Sequence, residues 1–165
     1  MSGISLGGHT TWRIAVSEAA AQGQVHGLIP IIGSPHLTAL LLDRLRVETS
    51  NLTTAAEDLY KVPYGELSPF MTEDQRQRWP QTLSELVSRL DRETNENFPQ
   101  DIPILIQNGE FDTSVPDKFT SPWVQKRKEE GYTNIEYFVQ GNTGHTCTKE
   151  MVANISNFLV KLFAV

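Results

Sequence analysis

Cysteine is almost absent from this sequence, and its scarcity removes two classes of protein. Cys147 is the only cysteine among 165 residues. A single thiol cannot close an internal disulfide or build a cysteine-ligated zinc site. The four histidines have neither H-x-x-x-H nor H-E-x-x-H spacing. We therefore expect no metal site.

Long apolar runs and clusters of basic residues are also missing. No run approaches the roughly 20 apolar residues that span a bilayer, and the first residues show no basic segment followed by an apolar one. The net charge is −6, without a Lys/Arg stripe. The sequence therefore predicts a cytoplasmic protein that binds neither nucleic acid nor membrane.

What is present is an alternation of helix-like and strand-like segments. Apolar runs bounded by glycine or proline predict buried strands at "VHGLIPIIGSP" and "DIPILIQNGEFD", and "NIEYFVQG" predicts a third strand. Helical patterns occupy "GGHTTWRIAVSEAAAQGQ", "PHLTALLLDRLRV", "DKFTSPWVQKRKEEGY" and the C-terminal "HTCTKEMVANISNFLVKLF". This order favours an α/β fold, a parallel sheet covered by helices.

The stretch from 48 to 100 differs from the rest of the chain. It is polar and contains four prolines, yet "PQTLSELVSRLDRE" places leucines and a valine on one face of an amphipathic helix. We interpret about 48–100 as a helical lid insertion within a single domain that spans 1–165.

A short motif near the start suggests chemistry. Gly3-Ile4-Ser5-Leu6-Gly7 is G-x-S-x-G, the pattern of a nucleophile elbow, in which a sharply turned backbone exposes a serine hydroxyl. The motif alone is weak, because a glycine-rich tail with an idle serine has the same letters. A catalytic serine also needs a base and an acid that orients the base.

Both partners occur further along the chain, in the order Ser, Asp, His. Asp112 follows the predicted strand "IPILIQNG", and His145 follows "NIEYFVQG". The carboxyl ends of parallel strands are where open sheets bind ligands. Alternatives remain at this point: Asp112 as a helix cap or Asx turn, Glu110 as a rival acid, and His145 as an ordinary loop histidine.

Four segments together resemble an α/β-hydrolase, closest to the prolyl-oligopeptidase-like or dienelactone-hydrolase-like serine esterases. They are "GISLGGHTTW", "IPIIGSP", "PILIQNGEFDTSVP" and "GNTGHT…ISNFL". The resemblance implies that Ser5 is the nucleophile, Asp112 the orienting acid and His145 the general base. It also implies that the amide of Leu6 is an oxyanion donor and that no cofactor is needed.

The sequence departs from that family at its beginning. It starts at the elbow, and it holds no HGGG-type segment for a second oxyanion donor. We therefore expect a truncated α/β-hydrolase-like sheet that lacks the strand before Ser5. Its roughly three strands would leave an exposed edge at which a homo- or hetero-oligomer could complete the sheet.

Two functional hypotheses follow. The first is a serine hydrolase that cleaves small esters or similar acyl compounds through an acyl-enzyme. The second is a non-hydrolytic α/β-hydrolase-like protein: an inactive remnant, an interaction module or a biosynthetic enzyme that reuses the pocket. A third hypothesis is a plain α/β binding domain that is unrelated to hydrolases. The distance between the Ser5 and His145 side chains is the observation that bears most directly on the choice.

Overall fold

The computed structural model describes residues 1–164, which form a four-stranded parallel sheet with helices on both faces. The strands are β1 (Ser2–Ile4), β2 (Ile29–Ile31), β3 (Ile104–Gly109) and β4 (Ile135–Gln140), and they lie side by side in that order. The helices are α1 (Leu6–Ile14), α2 (Glu18–Ala21), α3 (Leu37–Arg44), α4 (Tyr64–Leu67), α5 (Glu73–Arg78), α6 (Gln81–Glu96), α7 (Ser121–Glu129) and α8 (Lys149–Phe163). The predicted α/β class and the parallel sheet are confirmed.

The expectation that no strand precedes Ser5 is wrong, as is the count of three strands. Residues Ser2–Ile4 pair in parallel with β2, in the register Ser2↔Ile29 to Ile4↔Ile31. The Ser5 amide continues this ladder by donating to the carbonyl of Ile31 over 2.9 Å. Three residues are enough to aim the serine, but they are too few to show the alternation by which a strand is recognised in sequence.

The expected exposed edge is present, and β1 forms it. Ile4 is half exposed. Met1 and Ser5 direct their backbone groups toward β2, so the alternation of a parallel ladder directs those of Ser2 and Ile4 toward the open side.

Pro30 lies inside the sheet, where its missing N–H interrupts pairing. It sits in β2 opposite Gly3, and the neighbouring N–H of Ile29 already points toward β1. The absent donor therefore falls on the side of β3, where the pairing is interrupted between Leu28↔Ile104 and Ile31↔Gln107. The proline is tolerated in this inner strand because the backbone bonds to β3 resume on either side of it.

The sheet is packed on both faces. On one face Trp12 of α1 and Trp123 of α7 are in edge-to-face contact, with ring centroids 4.7 Å apart. On the other face Met151 and Phe158 of α8 pack against β2 and β3. The continuous helix expected after the elbow is divided into α1 and α2, and Ser17 caps the second by accepting from the amide of Ala20.

The predicted insertion, residues 48–100, forms helices that share a third hydrophobic core with α3. Thr72 and Gln75 make a capping box at the start of α5. The buried members of the core are Ala39, Leu40, Leu42, Val47, Leu59, Val62, Leu67, Met71, Trp79, Val87, Val115 and Phe119. Val115 and Phe119 come from the loop after β3, so the insertion packs directly on that loop. No helix within 1–164 is long and apolar enough to cross a membrane.

Candidate active site

Ser5 stands at a sharp turn between β1 and α1. Its backbone angles are φ 55° and ψ −113°, a strained conformation for a residue with a side chain. The turn is possible because the backbone folds back closely: a methyl group on Gly3 would lie 2.1 Å from the carbonyl oxygen of Gly7. The local geometry is that of a nucleophile elbow.

The second close approach involves a glycine just outside the motif. A methyl group on Gly8 would lie 2.7 Å from the carbonyl oxygen of Ile31 and 3.1 Å from the Cα of Gly33. The same test at Gly7 meets nothing within 4 Å. Gly8, rather than the motif's own Gly7, therefore lets α1 pack against the end of β2.

The fold brings the three predicted site residues together. The Oγ of Ser5 lies 2.7 Å from Nε2 of His145. The Nδ1 of His145 lies 2.7 Å from Oδ2 of Asp112. These distances are within hydrogen-bond reach and connect the ends of three parallel strands. With Nδ1–H donating to Asp112, the neutral imidazole presents Nε2 as an acceptor for the serine hydroxyl.

Asp112 uses both carboxylate oxygens. While Oδ2 faces His145, Oδ1 accepts the amides of Ser114 and Val115 over 2.8 and 2.9 Å. The Asx-turn role considered from the sequence is therefore present together with the histidine contact. The side chain is fully buried, so neighbouring groups hold this carboxylate in one orientation.

The loop that carries Asp112 is tied to its surroundings from several directions. Oδ1 of Asp117 accepts from the Asn108 amide over 2.7 Å and from the Tyr137 hydroxyl over 2.5 Å. Burial and the Asp117 carboxylate raise the pKa of Tyr137, so the phenol stays protonated as the donor. Arg44 of α3 also donates to the carbonyl of Ser114.

Leu6 is the first residue of α1, so its N–H has no acceptor inside the helix. Leu6 is an exposed residue, and its amide lies directly after Ser5, the position at which an elbow presents an oxyanion donor.

The other histidines are used differently. Nδ1 of His9 accepts the amide of Ser34 over 3.0 Å, and burial, the largest cause, lowers the His9 pKa. His9 therefore stays neutral and joins α1 to the segment after β2. His36 is buried, and its ring nitrogens have no partner among the described residues. No group of His, Cys, Asp or Glu side chains within 1–164 could hold a metal ion.

Two buried residues near the elbow carry no signal in the sequence. Ser34 is fully buried; its hydroxyl donates to the carbonyl of Phe119 and accepts the amide of His36. Ile32 has a φ of 45°, rare for a β-branched residue and found at functional sites. Only the tertiary structure places these residues beside the elbow.

This architecture, with the elbow between β1 and α1, is the α/β-hydrolase fold, so the predicted resemblance is confirmed at the level of fold. TT1662 from Thermus thermophilus is similar at a TM-score of 0.60 and 19% identity, over 99% of this chain and 54% of that one. A monoacylglycerol lipase from Paleococcus ferrophilus is similar at a TM-score of 0.54 and 16% identity, over 98% of this chain and 67% of the lipase. Acetyl xylan esterase 1 from Thermoanaerobacterium sp. JW/SL YS485 is similar at a TM-score of 0.51 and 14% identity, over 98% of this chain and 44% of the esterase.

The chain thus spans about half the length of the first of these structures. Comparison with protein-family models and with curated proteins finds no match to the sequence.

Proposed function

We propose that this chain is a serine hydrolase of the esterase type, acting on small esters or similar acyl compounds. The observation that carries the proposal is the continuous contact from Ser5 Oγ to His145 Nε2 and from His145 Nδ1 to Asp112, each over 2.7 Å. Similarity in fold to an esterase and a lipase supports the same class of reaction.

The proposed reaction is acyl transfer in two halves. Ser5 Oγ attacks the carbonyl carbon of the ester while Nε2 of His145 removes the hydroxyl proton. The protonated imidazole, stabilised by Asp112, then gives that proton to the departing alcohol, which leaves Ser5 acylated. Water, deprotonated by His145, attacks the acyl-enzyme; the acid is released and Ser5 is regenerated.

The Leu6 amide would hydrogen-bond the oxyanion that forms in both halves. A single missing oxyanion donor costs about 2.7–4 kcal/mol of transition-state stabilisation. Since the chain has no HGGG-type segment, we expect slow turnover, with both halves of the reaction affected.

Labelling with a fluorophosphonate probe tests this proposal. The phosphorus should attach to Ser5 in the wild-type chain and in no other position, and the Ser5→Ala variant should not be labelled. Hydrolysis of p-nitrophenyl acetate, followed at 405 nm, should likewise depend on Ser5. A matched control is Ser2→Ala, which removes an exposed hydroxyl from the same strand.

Absence of labelling and of Ser5-dependent hydrolysis in a folded wild-type chain would contradict the proposal. That result would favour the non-hydrolytic alternative, in which the same three side chains persist without acyl transfer. Circular dichroism and thermal unfolding of the same preparation establish that the chain is folded.

A further inference from the structure

The loops that carry Asp112 and His145 leave neighbouring strands and are bonded to each other. The amide of Glu110 donates to the carbonyl of Gln140 over 3.0 Å, and the amide of Phe111 donates to the carbonyl of Thr143 over 2.8 Å. The β3–β4 ladder therefore continues past the ends of the strands. The position of His145 relative to Asp112 depends on this junction.

The histidine loop turns back tightly over the end of β3. A methyl group on Gly109 would lie 2.5 Å from the carbonyl oxygen of Gly144. The reversal is made at Asn142, whose φ is 52°. Asparagine tolerates this left-handed region better than most residues, but an exposed loop also needs an interaction that selects this conformation.

The Glu110 carboxylate supplies that interaction. Its Oε2 accepts the backbone N–H of Asn142 over 2.9 Å. The carboxylate starts at the end of β3 and reaches across to the turn of the next loop, three residues before His145. Glu110 is thus not the acid that contacts the imidazole, since that contact belongs to Asp112.

We infer that Glu110 is a positioning residue that holds the 141–145 loop so that His145 meets both Ser5 and Asp112. This inference rests on the proposed function, because it assigns Glu110 a part in the same reaction. Glu110 touches none of the reacting atoms and acts through the backbone of Asn142.

Two conservative variants separate reach from charge. Glu110→Gln keeps an acceptor oxygen at the same distance and loses the charge. Glu110→Asp keeps the charge and is one methylene too short to reach the Asn142 amide. If the reach of the acceptor oxygen matters, Glu110→Gln should behave like the wild type, and Glu110→Asp should behave like Glu110→Ala.

The first readout is ester hydrolysis with kcat and KM resolved. A misplacement of about 1 Å at a catalytic group costs roughly a hundredfold in rate. Because the Phe111–Thr143 hydrogen bond still holds the loop, we expect a smaller fall in kcat, about tenfold, in Glu110→Ala and Glu110→Asp. KM should stay within about twofold, since Glu110 acts through the backbone of Asn142 and thereby on the position of His145. Glu129→Ala, which removes an exposed carboxylate whose partner among residues 1–164 is Gln125, is the control.

The second readout does not require activity. A histidine Nδ1 proton shared with a buried carboxylate gives a low-field proton NMR resonance. It should be present in the wild type and in Glu110→Gln, and broadened or lost in Glu110→Asp. Thermal unfolding of each variant is measured beforehand. If Glu110→Ala does not fold, the comparison of Glu110→Gln with Glu110→Asp still tests the inference.

The two readouts distinguish the failure of this inference from that of the proposed function. Without ester hydrolysis in the wild type, the proposed function fails and the resonance alone decides about Glu110. An unchanged kcat and an unchanged resonance in Glu110→Asp would overturn the inference, as would the absence of the resonance from the wild-type chain. A loss in Glu110→Gln as large as that in Glu110→Asp would overturn it as well, because an acceptor oxygen at the right distance would then not be sufficient.

Discussion

The hydroxyl oxygen of Ser5 lies 2.7 Å from Nε2 of His145, across 140 positions of sequence. The contact exists because β1 and β4 point the same way and end at the same side of the sheet. Ser5 is placed by an elbow that begins after a three-residue strand, and His145 by a loop that begins after β4. Each residue is unremarkable within its own segment, and the parallel topology makes them neighbours.

Replacing Asp112 by asparagine should suppress hydrolysis while leaving the fold intact. The amide oxygen can keep accepting the backbone N–H groups of Ser114 and Val115, so the loop retains its shape. The imidazole loses the partner that fixes its tautomer, and by analogy with serine proteases kcat should fall about 10⁴-fold. The measurement is steady-state hydrolysis of p-nitrophenyl acetate. Asp101→Asn, at an exposed position between α6 and β3, is the control; a loss below tenfold in Asp112→Asn would argue against the assigned role.

Two neighbouring glycines should respond to alanine in opposite ways. In Gly8→Ala the new methyl meets the backbone of Ile31 and Gly33, which cannot move aside, so we expect a loss of about 1–3 kcal/mol in the free energy of unfolding. Gly7→Ala meets open space and should be neutral or stabilising by about 0.5–1 kcal/mol, as for alanine in a helix. Urea unfolding monitored by circular dichroism measures both. Equal free energies of unfolding for the two variants would contradict the close contact between Gly8 of α1 and the backbone of Ile31 and Gly33.

The elements that sequence patterns predict well are those with a run or a helical stripe of apolar residues. The strand Ile104–Gly109 is buried at every position; its apolar first half reveals β3, although Gln107 and Asn108 are buried polar residues. In α8 the apolar residues recur at helical spacing, and Met151 and Phe158 face the sheet. The stripe in α8 is wider than the buried face, because Val152 and Leu159 are exposed.

The elements that were missed are those decided by tertiary contacts. No local pattern distinguishes Ser2–Ile4 from a tail, because the pairing partner of β1 lies more than 20 residues away in β2. The candidate triad could be proposed from the order of Ser5, Asp112 and His145. The contact of Glu110 with the Asn142 backbone could not, because it depends on a φ angle that the completed fold selects.

The α6 helix of the insertion should be essential for stability because of one buried ion pair. Asp91 is fully buried, pairs with Arg13 of α1 and accepts the amides of Leu37 and Thr38 at the start of α3. Asp91→Ala removes all of these contacts and leaves a guanidinium without its counter-ion. Breaking such a pair costs about 3–5 kcal/mol, to be measured by urea unfolding. Glu93→Ala, an exposed acid on the same helix, should change little; a loss under about 1 kcal/mol for Asp91→Ala would contradict the buried pairing.

The last prediction concerns pH. Burial lowers the pKa of His36 from 6.5 to about 3. Between pH 6.5 and pH 3 the folded chain therefore keeps His36 neutral, whereas the unfolded chain binds a proton there. Protonation stabilises the unfolded state, so the free energy of unfolding decreases as the pH falls. The His36 contribution is small above pH 6.5 and grows by about 1.4 kcal/mol per pH unit between pH 6.5 and pH 3.

Between pH 7 and pH 5, this residue alone should lower the free energy of unfolding by about 2 kcal/mol. Because both ring nitrogens lack partners within the described part of the chain, His36→Leu removes the titration without orphaning another polar group. Urea unfolding of both proteins at a series of pH values measures the free energy of unfolding of each. The difference between the two free energies should be nearly constant above pH 7 and should change steadily as the pH falls below 6. His26→Leu, at an exposed position, serves as the control, and parallel curves for wild type and His36→Leu would show that His36 is protonated in the folded chain.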